Sequence, residues 1–89
     1  MFARIVLILL SFLLGASVRA GFDDGMDAAR HGDYVSAFAK FSEAAKQGDA
    51  RAQTAFGDMY RYGLGVERND AEAVYWYRKA AGLGFAMAQ

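Results

Sequence analysis

The chain repeats itself at a fixed interval, and this limits its possible folds more than any other feature of its 89 residues. Residues 44–53 align with residues 80–89 at an offset of 36, and six of the ten paired positions are identical. Farther back, Ala37 pairs with Ala73 and Phe41 with Tyr77 at the same offset. A period of this size is typical of stacked helix pairs. We therefore predict an all-α fold built from helical hairpins.

The second copy, over residues 55–84, indicates how one hairpin is built. Apolar and small residues recur at helical spacing on both sides of a glycine-marked turn. They are Phe56, Met59, Tyr60 and Gly63 before the turn, and Ala73, Tyr77, Ala80 and Ala81 after it. Alanines beside aromatic rings favour two closely packed helices, because large side chains fill the gaps left by small ones.

Capping residues and glycines divide the chain into four helices after its first twenty residues. The helices are predicted near 23–31, 34–47, 50–62 and 70–81. The predicted N-caps are Asp23 or Asp24, then Asp33, Asp49 and Asn69, with Glu72 forming a capping box at the last. Gly57 lies in the middle of the third helix, where glycine costs about 1 kcal/mol relative to alanine. We therefore expect a neighbouring helix to approach closely at Gly57.

Residues 1–20 differ in composition from the rest of the chain. Arg4 precedes an apolar run from Ile5 to Leu14, and Val18 and Ala20 satisfy the −3 and −1 positions of a cleavage site. This pattern is that of a secretory signal peptide. The expectation is a secreted or periplasmic protein of a Gram-negative bacterium. An uncleaved inner-membrane anchor and a buried intracellular helix are the alternatives, although the run is short for a span of about 20 residues.

The composition of the remaining chain narrows the classes of partner. Loss of Arg4 and Arg19 with the signal peptide reduces ten Lys and Arg residues to eight, against ten Asp and Glu, a net charge of −2. No basic cluster remains, so nucleic acid is not an expected partner. The chain has no cysteine, which excludes disulfides and thiolate metal sites. Helix packing alone must therefore stabilise the mature domain.

The second copy resembles the Sel-one-like repeat (SLR) family, a relative of the tetratricopeptide repeats. The resemblance is carried by Ala52-Gln53, Phe56-Gly57, Met59-Tyr60, Gly63-Leu64-Gly65-Val66, Ala73, Trp76-Tyr77 and Lys79-Ala80-Ala81. It implies an α-α superhelix of antiparallel helix pairs that binds other proteins, and it implies no single activity. We expect an SLR domain at 21–89, with repeat one at about 22–48, repeat two at about 49–84, and a third repeat begun at 85–89.

Few residues offer catalytic or metal-binding chemistry. Asp23, Asp24 and Asp27 have the spacing of an acidic magnesium cluster, but one helix face supplies too few converging ligands. His31 is the only histidine, and no nucleophile is placed to use it. The Gly63–Val66 segment follows a helix and lacks the lysine of a phosphate-binding loop, so its glycines are expected to let Leu64 or Val66 fold back. We predict no catalytic residue, no cofactor and no metal.

The expected function is an exported protein-interaction module without catalysis of its own. Some cysteine-rich SLR relatives are linked to penicillin binding and β-lactamase activity, but this chain has neither their cysteines nor a Ser-x-x-Lys motif. A cell-wall-related hydrolase or β-lactam-binding domain is therefore the alternative from another class. A truncated remnant without function is the third.

Aromatic residues of the second repeat are the candidates for a contact surface. Tyr60 and Tyr77 are expected in the core. Lys40 stands at the place of Trp76 in the first repeat, so position 76 is expected to be exposed or half-exposed. Partly exposed tryptophan and tyrosine frequently anchor protein interfaces. The predicted interaction surface comprises Tyr62, Trp76 and Phe85. The same face could instead meet a third repeat or a second copy of the chain, since Val74, Leu83 and Phe85 are expected to leave it apolar.

Overall fold

A computed structural model describes residues 20–82, which form four helices and no strand. The helices are α1 at 20–30, α2 at Tyr34–Lys46, α3 at Ala50–Tyr62 and α4 at Asp70–Ala80. Short connections reverse the chain between successive helices, and α3 packs against both α2 and α4. The predicted all-α class is confirmed. The predicted signal helix, apart from Ala20, and the start of a third repeat lie outside the described residues.

Three helices begin at the N-caps predicted from the sequence. The side-chain oxygens of Asp33, Asp49 and Asn69 accept hydrogen bonds from the backbone N–H groups of Ser36 (3.2 Å), Arg51 (3.0 Å) and Glu72 (3.1 Å), respectively. The predicted capping box is only half formed. The backbone N–H of Asn69 donates to the Tyr60 carbonyl (2.9 Å) and not to the Glu72 side chain.

The N-cap predicted for α1 is wrong, because the helix already includes residue 20. Asp23 and Asp24 therefore lie inside α1 and do not cap it. Packing against α2 explains the earlier start: the rings of Phe22 and Phe41 lie 5.9 Å apart, and Gly21 lies against Ala44. These contacts account for residues 21 and 22 being helical, ahead of either predicted cap.

Glycine and an aromatic ring meet in both helix pairs. A Cβ atom on Gly57 would lie 2.8 and 2.9 Å from two ring carbons of Tyr77, so the close approach predicted at Gly57 is confirmed. A Cβ on Gly25 in α1 would lie 2.5 and 2.6 Å from two ring carbons of Phe41 in α2. Both rings therefore pack on helix backbone at a distance that only glycine allows.

The core lies along α3, between α2 and α4. Its buried members are Ala37, Phe41, Ala44, Ala45, Ala52, Phe56, Met59 and Trp76. The Phe56 ring is central to this cluster, with its centroid 4.9 Å from that of Phe38, 5.1 Å from Tyr60 and 5.0 Å from Trp76. Tilted and edge-on ring pairs of this kind add about 0.5–1.5 kcal/mol each beyond the area they bury.

The loop between α3 and α4 rests on the first turn of α2. Gly63 ends α3 in the left-handed conformation (φ 65°), and Gly65 repeats that conformation (φ 70°). A Cβ on Gly65 would lie 2.6 Å from the carbonyl carbon of Tyr34 and 3.0 Å from the Val35 nitrogen. Leu64 and Val66 are half-buried against the core, which confirms that they fold back. The loop thus joins the two helix pairs.

Candidate protein-interaction surface

Large apolar side chains are exposed at two places on the described residues. The first place, which we call the loop-end patch, comprises Tyr34 (39% exposed), Val35 (73%) and Tyr62 (61%). The second, which we call the α4 face, comprises Val74 (45%) and Tyr75 (53%) together with Ala71, Arg78 and Lys79. Exposed apolar residues that cluster mark contact surfaces more often than single ones do.

The loop-end patch forms where α2 begins and α3 ends. Tyr34 and Val35 make up the first turn of α2, and Tyr62 is the last residue of α3. The close approach of Gly65 to the Tyr34 backbone fixes these two helix ends relative to each other. The Arg61 guanidinium lies 5.3 Å from the centre of the Tyr62 ring, so a cation accompanies the exposed aromatic ring.

The α4 face is a shallow depression along the outer side of the last helix. Its volume is about 490 Å³, and Ala71, Val74, Tyr75, Arg78 and Lys79 line it. The Lys79 ammonium lies 5.6 Å from the centre of the Tyr75 ring and 5.2 Å from that of Trp76. This surface is therefore apolar in the middle and positively charged along one edge.

The structure places the three predicted contact residues differently. Tyr62 is exposed and belongs to the loop-end patch. Trp76 is only 7% exposed and packs edge-on against Phe56, so the expectation of an exposed position 76 is wrong. Burial follows from size, since the indole covers the Phe56 ring, whereas Lys40 at the matching place is exposed. Phe85 lies outside the described residues.

Sequence reasoning missed Tyr34 and Val35. Val35 lies outside the stripe of Ala37, Phe41 and Ala44 that faces the core, and this offset is the signal that could have found it. Tyr34 continues that stripe, three residues before Ala37, and is partly exposed as the first residue of the helix. Their place in the loop-end patch depends on how the loop between α3 and α4 packs on the start of α2. Helical periodicity in the sequence carries no information about that packing.

One polar contact joins α3 to α4 beside the Gly57 contact. The Tyr77 hydroxyl donates a hydrogen bond to the Asp58 carboxylate. Burial and this carboxylate both disfavour the phenolate and raise the pKa of Tyr77 to about 12, while Arg61 opposes the rise. Tyr77 is therefore neutral at ordinary pH and acts as a donor that orients the two helices.

The titratable side chains of residues 20–82 take part in local contacts. Among residues 20–82, no three His, Asp or Glu side chains lie close enough together to hold a metal ion. The Nδ1 atom of His31 donates to the Asp27 carbonyl (2.8 Å) at the end of α1. Arg68 forms two hydrogen bonds of 3.1 Å with Asp70 at the start of α4, and these lower the pKa of Asp70.

Consecutive antiparallel helix pairs that repeat at a fixed period of 36 residues are typical of the tetratricopeptide-like class of helical repeats. Within that class, residues 50–85 match the Sel1 repeat, so α3 and α4 form a repeat of this family. The chain is also similar to DAP3-binding cell death enhancer 1 of Rattus norvegicus, with 42% identity over 59 residues. That alignment covers 66% of this chain and 12% of the relative's length. The Sel1 repeat is a helical protein-interaction module, and the predicted resemblance is confirmed.

Proposed function

We propose that this protein is an exported module that binds a partner protein through the loop-end patch and catalyses no reaction itself. The observation that carries the proposal is the exposure of Tyr62, at 61%, with the Arg61 guanidinium beside its ring. Tyrosine and arginine are enriched among the residues that dominate binding energy at protein interfaces. The name of the rat relative describes it as binding a protein, which supports the class of function and not a particular partner.

Packing of the loop beside the loop-end patch supports a role of the patch in binding. The Gly65 backbone packs on that of Tyr34, and Leu64 and Val66 pack on the core. A backbone held in place before binding loses less conformational entropy when a partner docks. Val35 and Tyr62 therefore project from helix ends whose backbone is already packed.

Export is the second part of the proposal and rests on the pattern in residues 1–20. Cleavage before Gly21 would leave the α1 contacts of Phe22 and Gly25 with Phe41 in the mature chain. Mass spectrometry of the exported protein should therefore find Gly21 at the N-terminus. Retention of Met1 in a membrane fraction would show an anchor instead. Among the helices within residues 20–82, none combines the length and apolar character that crossing a membrane requires.

Site-specific photocrosslinking tests the binding surface. A photoreactive phenylalanine in place of Tyr62 should give one discrete protein adduct in cells, and the same residue in place of Lys46 should not. Lys46 is a suitable control because it is exposed at the last residue of α2, the opposite end of that helix from Tyr34 and Val35. Equal adducts from both positions, or none from either, would contradict a binding role for this surface.

A further inference from the structure

The middle of the α4 face lies on a side of the helix that packing between helix pairs leaves open. Ala71, Tyr75 and Lys79 follow one another at four-residue spacing along this side. The matching places on α2, 36 residues earlier, are all exposed: Val35, Ala39 and Glu43. They are exposed although α3 packs on α2. Contact with a neighbouring helix pair therefore does not explain the exposed ring of Tyr75.

Charge is arranged along α4 in two blocks. Asp70 and Glu72 lie in its first turn, and Arg78 and Lys79 lie in its last. The helix dipole favours this order, yet α2 and α3 have no acidic residue in their first turns. Between the two blocks the side chain of Tyr75 is 53% exposed. The α4 helix is therefore complementary in charge to a copy of itself that runs in the opposite direction.

Glu72 and Lys79 are placed for contact with such a copy. The backbone N–H of Asn69, which a complete capping box would offer to Glu72, donates to the Tyr60 carbonyl instead (2.9 Å). The side chains of Glu72 and Lys79 are both exposed. Seven residues, about two helical turns, separate them, so both lie on the same flank of Tyr75.

We propose that the α4 face binds a second copy of this chain, with the two α4 helices antiparallel about a two-fold axis at Tyr75. Glu72 of each copy then lies opposite Lys79 of the other, and the two Tyr75 side chains meet at the centre. The same surface is used on both copies, as in most two-fold dimers. This inference is independent of the loop-end patch.

The length of α4 limits the strength of this contact. A helix of 11 residues is about 16 Å long. One helix pair of that length buries less than the roughly 1,200–2,000 Å² of a stable interface. Self-association should therefore be weak, and the charges on the rim should decide whether it occurs.

Sedimentation equilibrium of the purified protein over a range of concentrations tests the proposal. The mass of the natural chain should rise with concentration from that of a monomer toward that of a dimer. Lys79→Glu brings carboxylates face to face at two symmetry-related places and should weaken self-association at least ~10-fold. Glu72→Lys should do the same by bringing cations together. Glu43→Lys, at the exposed place on α2 that matches Lys79, changes the net charge equally and should have no effect.

Charge exchange separates an effect on docking from an effect on folding. The double variant Glu72→Lys/Lys79→Glu restores opposite charges across the contact and should self-associate again. An equimolar mixture of the two single variants should form a mixed dimer, because each chain then offers the charges that the other lacks. Circular dichroism confirms that every variant keeps its helical content.

Disulfide formation tests the antiparallel register. The chain contains no cysteine, so Tyr75→Cys introduces a single thiol at the proposed two-fold axis. Two such thiols lie close enough to be joined, and dissolved oxygen should couple the chains. Ala39→Cys, exposed at the matching place on α2, should couple at least ~10-fold more slowly.

Three outcomes would overturn the proposal. A natural chain that stays monomeric at every concentration would show that the α4 face does not bind a second copy. Association that neither single charge reversal weakens would show that another surface is used. A mixture of the two single variants that stays monomeric, with both variants folded, would show that Glu72 and Lys79 do not meet across the contact.

Discussion

Gly57→Ala tests the tightest contact between α3 and α4. The added methyl carbon would lie 2.8 and 2.9 Å from the Tyr77 ring and 3.3 Å from the Ala73 carbonyl oxygen. Carbon atoms normally pack about 3.5–4.0 Å apart, so α4 or the ring must move by roughly 0.7 Å. A change of the Tyr77 χ1 angle that moves the ring away would break its hydrogen bond to Asp58.

Two opposing free energies decide the result of Gly57→Ala. Alanine gains about 1 kcal/mol over glycine from helix propensity. Overpacking costs about 1–3 kcal/mol, so we expect a net loss of about 1 kcal/mol in the free energy of unfolding. In a domain of this size that loss lowers Tm by about 4–8 °C. Gly57→Leu should cost more, because it adds further carbons at the same place.

Thermal and urea melts followed by circular dichroism measure the effect. Ala39→Gly, at an exposed position in α2, gives the propensity difference in the same chain. In a Tyr77→Ala background the penalty of Gly57→Ala should largely disappear, since the ring that the methyl meets is gone. An increase in stability with Gly57→Ala in the natural background, equal to the loss with Ala39→Gly, would refute the reasoning.

Substitutions at five further positions test separate contacts by the same melts. Gly65→Ala should lower the free energy of unfolding by at least about 2 kcal/mol, because the added Cβ would meet the Tyr34 backbone. Gly63→Ala should lower it by about 1 kcal/mol, for the left-handed conformation alone. Asn69→Ala should cost about 1 kcal/mol for the lost N-cap, and Asn69→Asp should restore it. Gln53→Glu should destabilise the fold more at about pH 7 than at about pH 4. A buried carboxyl without a cation has a raised pKa, so folding favours its neutral form, which predominates at the lower pH. Gln53→Met is the uncharged control. The pKa of Tyr77 is raised to about 12, so its contribution to the free energy of unfolding is complete below about pH 10 and is lost as the pH rises toward 12. Tyr77→Phe should remove this loss of stability at alkaline pH.

Local chemistry made most of the fold predictable from the sequence. The starts of α2, α3 and α4 follow from capping side chains, and the break after α3 follows from Gly63, so these features need no tertiary information. Gly57 was predictable as a close contact because glycine inside a helix requires compensation elsewhere.

Features that depend on tertiary packing were not predictable in the same way. α1 starts earlier than expected because Gly21 and Phe22 contact α2, which no cap encodes. Trp76 is buried, although the lysine at the matching place in the first repeat is exposed, because only the indole is large enough to cover Phe56. Exposure of Val35 beside a docked loop depends on the approach of Gly65 to the α2 backbone.

Binding of the crosslinked partner by purified protein tests the central claim most directly. Isothermal titration should show that the double variant Val35→Ser/Tyr62→Ala binds that partner at least ~10-fold more weakly than the natural chain, since truncation of an anchor residue costs more than 1 kcal/mol. Thr54→Ala, exposed on α3 away from the loop end, should bind as the natural chain does. An unchanged Kd for the double variant, with its helical spectrum intact, would contradict the loop-end patch as the binding surface.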